Sequence, residues 1–108
     1  MADDTIFVLT QMPDLAAARA LALALLERRL AACVSIGAPV ESLYHWRGKI
    51  ETAQETPLVV KTRQSRYHDV ETAIRAQHPY ELPEIVAVPV VDGLAPYVQW
   101  IVDETAGG

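Results

Sequence analysis

Residues 76–85, AQHPYELPEI, hold an imidazole, a phenol, two carboxylates and two prolines within ten positions. His78, Glu81 and Glu84 supply the nitrogen and oxygen donors that a hard or borderline divalent cation accepts. A second reading uses the same residues without an ion. If a helix ends at His78, its negative end favours a cationic imidazole there, and the prolines merely stop the helix and stiffen the exit.

Other residues able to do chemistry are scattered. Lys61 interrupts the apolar run LVVKT, where a charge is costly unless paired or facing solvent. It is expected to hold an anionic ligand, to pair with Glu51, Glu55, Glu81 or Glu84, or to point outward from an edge. Cys33 lies among small apolar residues and is either a core filler or a thiolate awaiting a base that no local motif supplies. Tyr44 and Trp46 flank His45, so in a regular strand their rings face opposite to its imidazole. His68 is expected to be solvated. The chain has no CxxC, HExxH, GxSxG or glycine-rich phosphate loop, and no enzymatic activity is expected.

These groups need elements to hold them. TIFVL (5–9) reads as a strand buried on both faces. Asp14 suits the N-cap of a helix running to about Arg29, with Arg28 and Arg29 at its negative end. ACVSI and VESLYHW form a strand weakened at Pro39, and a turn at Arg47-Gly48 leads into KIETAQETPLVVKT. Ser65 is placed as the N-cap of a second helix whose inner face carries Tyr67, Val70, Ile74 and Gln77, and Pro79 cannot continue it. EIVAVPVV (84–91) is a last strand, apolar on both faces, and Pro96 opens a short final helix.

The order β-α-β-β-α-β plus a C-terminal helix predicts an α+β, ferredoxin-like split-βαβ domain over residues 1–108. Right-handed crossovers then put both long helices on one face of an antiparallel sheet. The opposite face has no cover among the predicted elements, so a second copy of the chain is expected to supply it.

Composition narrows the partners. With 9 basic and 14 acidic residues, a formal charge of −5 and no basic cluster, a nucleic-acid partner is not expected. The Ala/Leu-rich stretch 15–34 is broken by Arg19, Glu27, Arg28 and Arg29, so it reads as a globular helix rather than a membrane insertion. A single cysteine and an N-terminus without a basic, then apolar, leader point to a reducing cytoplasm.

AACVSI, SLYHWRGKIE, ETPLVVKT, HPYELPEI and YVQWI, in this order and at these separations, resemble the CutA divalent-cation tolerance family over about Thr5 to Asp103. The resemblance implies a cytoplasmic homotrimer, PII-like in architecture, and a link to tolerance of copper or other divalent cations, with no cofactor required for folding. The metal ligands proposed for the family fall here on Thr10, Gln77 and His78, of which His78 alone matches. Two other readings stand beside it. One is a sensor whose intersubunit cleft, lined by Cys33, Trp46, Lys61, Tyr80 and Glu81, takes a small anionic or zwitterionic ligand. The other is a trimeric anchoring protein.

Overall fold

The structure is a computed structural model and describes residues 3–106. Its elements run β1 (Thr5–Met12), α1 (Leu15–Glu27), β2 (Cys33–Ile36), β3 (Val40–Trp46), β4 (Lys49–Arg63), α2 (Tyr67–Gln77), β5 (Val86–Pro89) and α3 (Ala95–Glu104). The sheet order is β2-β4-β1-β5, with β3 paired to the first half of β4. Every pairing is antiparallel. This is the expected split-βαβ arrangement.

Alternation assigns the faces. Ile6, Val8 and Met12 of β1 and Leu58 and Val60 of β4 are buried against Leu21 and Leu25 of α1 and Val70 and Ile74 of α2. Their neighbours Phe7, Leu9, Val59 and Lys61 point to the other face and are only half-buried. Asp14 caps α1 as expected, accepting from the Ala17 N–H at 2.8 Å. The helix stops two residues earlier than its charge pattern suggested. Arg29 takes a φ of 55°, and the Leu30 N–H reaches back to the Leu25 carbonyl, a Schellman closure.

The strand pair in the middle of the chain contains the feature that shapes the site. Ile36 pairs with Leu58 and Val40 with Glu55, so three residues (37–39) oppose two (56 and 57). That is a β-bulge, and an extra residue reverses which alternate side chains face the core. Val34 and Ile36 pack on the core, whereas Val40, Ser42, Tyr44 and Trp46 are turned to the opposite face. Gly37 suits the bulge because a Cβ there would meet the Pro57 ring at 3.0 Å. Beyond it the β3–β4 ribbon closes through Arg47 and Gly48, with φ of 51° and 81°, the geometry of a two-residue hairpin turn.

Several expectations need correction. Strand one runs on to Met12. Ser65 does not cap α2; its hydroxyl and N–H both bind the Asp3 carboxylate, and a 3-10 turn at Gln64–Arg66 leads into the helix. The inner face of α2 carries Tyr67, Val70, Ala73 and Ile74, while Gln77 is exposed. The last strand is short, and all four of its residues are exposed within the single chain. The face opposite α1 and α2 is not bare either. Helix α3 lies over part of it, tied down by Arg63, Arg66 and Arg29, which donate to the carbonyls of Thr105 and Glu104.

Candidate functional site

The bulge, the hairpin and the segment after α2 converge on one groove of about 740 Å³. Gln11 from the end of β1, Ser42, Tyr44 and Trp46 from β3, and Glu55 from β4 form one wall; Tyr80 to Glu84 form the other. Gln11 links them. Its side-chain oxygen accepts from Ser42 Oγ at 3.3 Å and its amide donates to Glu84 at 3.5 Å.

His78 holds the second wall in place. The residue before Pro79 is confined to extended backbone, and His78 has φ −83° and ψ 129° as the C-cap of α2. The Tyr80 N–H donates to His78 Nδ1 at 3.2 Å, so Nε2 carries the ring proton and donates to the Gln11 carbonyl at 2.6 Å. Both ring nitrogens are thereby used within the subunit. The imidazole also packs against the Tyr80 ring, with centroids 4.7 Å apart. In this geometry His78 positions the segment that carries the other candidates.

Glu81 pairs with Arg47 at 3.0 Å across the mouth of the groove. Tyr80 lies deeper. Burial, then the nearby Glu55 carboxylate, and the neighbouring Tyr44 phenol push its pKa above the ordinary tyrosine value. His45 and Leu82 complete the rim. Among the described residues, no three His, Cys, Asp or Glu side chains converge tightly enough to hold a metal ion. A closed coordination shell around Glu81 and Glu84 therefore needs donors from outside one subunit.

The expected cleft set divides. Trp46, Tyr80 and Glu81 line the groove, but Cys33 and Lys61 do not. They are register partners on β2 and β4, and Lys61 stands six residues, about 20 Å of strand, beyond Glu55. None of the four glutamates expected for Lys61 pairs with it; its ammonium lies 5.6 Å from the Phe7 ring centroid and 5.9 Å from that of Tyr97. It fastens α3 to the sheet. Cys33 is a half-buried free thiol.

Gln11, Ser42, Arg47 and Glu55 were not among the expected site residues. Glu55 shares the face of Gln11 by plain alternation along β4, two residues from Pro57, but only the parity change at the bulge brings Ser42 there. Pro39, the mark of an irregular strand, is the one sequence signal that pointed there.

The sequence model of the CutA1 divalent ion tolerance proteins matches residues 6–104. The chain belongs to this family. It is 41% identical over 98 residues to the divalent-cation tolerance protein CutA of Thermus thermophilus, covering 91% of this chain and 95% of that one. Against the chloroplastic CutA protein of Arabidopsis thaliana the identity is 36% over 101 residues, and the match spans 94% of this chain but only 56% of that longer one. A solved structure from Archaeoglobus fulgidus, described as a periplasmic divalent cation tolerance protein CutA, superposes with a TM-score of 0.91 at 39% identity, covering 94% of this chain and 98% of its own. No helix among the described residues is long and apolar enough to cross a membrane.

Proposed function

We propose that this chain serves divalent-cation tolerance by binding the ion, copper among the candidates, at the carboxylate rim of the groove in a homotrimer, without catalysing a reaction. The observation that carries this reading is that Glu55, Glu81 and Glu84 line one groove, a carboxylate set that is incomplete within one subunit. Carboxylate oxygens accept divalent cations, and among the first-row ions copper(II) binds a given donor set most strongly. One subunit leaves the set open, and three copies offer the missing donors.

The case for association is physical. Val86 and Val88 on β5 are 47% and 40% exposed, and Leu43 and Ile50 on the hairpin are 64% and 70% exposed. An apolar edge strand and an apolar ribbon left in water invite pairing with another chain. A cytoplasmic setting agrees with the free thiol of Cys33.

Native mass spectrometry with added copper(II) tests the proposal. The expected result is a trimer that takes up an integral number of ions, lost in the Glu81→Gln/Glu84→Gln double variant. Saturable uptake unchanged in that variant would place the ion elsewhere, and a monomeric wild-type chain would remove the basis for a shared site.

A further inference from the structure

The hairpin tip offers the groove a cation of its own. The Arg47 guanidinium carbon lies 5.3 Å from the centroid of the Trp46 ring, and its Nη2 donates to Glu81 at 3.0 Å. A planar cation is thus held between an aromatic face and a carboxylate, the pairing by which proteins recognise guanidinium groups. The hold is loose. The Arg47 and Glu81 side chains remain 73% and 69% exposed, and pairs of that kind contribute little.

The groove extends well past this contact. Tyr44 continues the aromatic wall and Tyr80 lies on the opposite one, Glu55 and Glu84 add negative charge, and Leu82 offers an apolar edge. A volume of about 740 Å³ lies in the range of small-molecule sites and exceeds what one guanidinium fills. The charge disfavours an anionic ligand, because three carboxylates would face it. A metal ion, in turn, makes no use of three aromatic rings.

We infer that the groove is a receptor for a small organic cation carrying a guanidinium on an apolar tail, and that Arg47 is its tethered competitor. The bound cation takes the place of the Arg47 guanidinium over Trp46 and against Glu81, and its tail lies along Tyr44 and Leu82. This uses the groove proposed above as a cation site but does not depend on metal occupancy.

Isothermal titration with n-butylguanidinium tests the inference, with neutral n-butylurea as the isosteric control. The wild-type chain should bind the cation saturably, one per subunit, and show no saturable heat with the urea. Arg47→Asn, which keeps a residue suited to the turn, should tighten binding about two- to fivefold by removing a weak internal competitor. Trp46→Leu should weaken it about tenfold, the loss of one cation–π contact, and Glu81→Gln should weaken it as well. If Trp46→Leu does not fold, Trp46→Phe should show a smaller weakening. Absence of saturable binding in Arg47→Asn, equal binding of the urea, or weaker binding on loss of Arg47 would each overturn the inference. Copper uptake by the folded tryptophan variant, read by native mass spectrometry, separates the two proposals: it should be retained there whether or not the organic cation binds.

Discussion

Replacing His78 with alanine removes two hydrogen bonds and a ring contact at once. The Gln11 carbonyl loses a donor at 2.6 Å and the Tyr80 N–H loses an acceptor at 3.2 Å. Each such bond is worth about 0.5–1.5 kcal/mol net, and because His78 is only half-buried, water can replace part of what is lost. The expected cost is about 1–2 kcal/mol, or about 5–15 °C in Tm for a domain of this size. Calorimetry at fixed protomer concentration reads the first effect, since association makes Tm concentration-dependent. Hydrogen exchange reads the second: the Tyr80 amide should lose protection, and residues 81–84 should follow, while the core strands keep theirs. His78→Gln, whose amide can still donate to Gln11, should recover part of the stability. The reasoning fails if His78→Ala keeps the wild-type Tm and a protected Tyr80 amide. Loss of copper uptake in that unchanged background would instead make His78 a ligand, as the family resemblance implies.

Two further predictions rest on single groups. The Thr10 hydroxyl is buried on the core face without a hydrogen-bond partner, so Thr10→Val should stabilise the chain by about 1 kcal/mol, seen as a higher midpoint in urea. For Asp3, burial opposes ionisation, but the Ser65 side chain and N–H and the Arg63 guanidinium outweigh it and hold the carboxyl below its ordinary value of 3.8. Its contribution is therefore present above that pH and disappears as the pH falls through the lowered value. Asp3→Asn should cost about 1 kcal/mol at neutral pH, with the two Tm curves converging in strong acid.

Local chemistry made the fold readable from the chain. Asp14 before an Ala/Leu run, Pro79 after a helical period and Arg47-Gly48 between alternating segments each act through near neighbours, and together they specify the split-βαβ order. What escaped the reading depends on distant partners. Ser65 has the character of a cap, but Asp3, sixty-two residues away, claims both its hydroxyl and its N–H. Lys61 was expected to find an anion or a carboxylate or to point outward from an edge, yet two rings from β1 and α3 lie near it instead.

The site divides along the same line. HPYELPEI announced a rigid segment that presents its side chains, and Tyr80, Glu81 and Glu84 do line a groove. His78 was read both as a metal donor and as the imidazole at a helix end, and it is the C-cap of α2; its bond to Gln11 becomes visible only when the end of β1 lies beside it. The face of Tyr44 and Trp46 hangs on one extra residue at 37–39, a change of register that period-two reading passes over.

The central claim is that a divalent cation sits on the groove carboxylates. An anomalous difference map from crystals soaked in copper(II), collected at the copper edge, addresses it directly. The account predicts a peak within coordination distance of Glu81 and Glu84, completed by donors from a neighbouring copy, with His78 still bonded to Gln11 and Tyr80. A peak on the His78 ring nitrogens, with those bonds broken, or an empty groove beside ordered copper elsewhere, would contradict it.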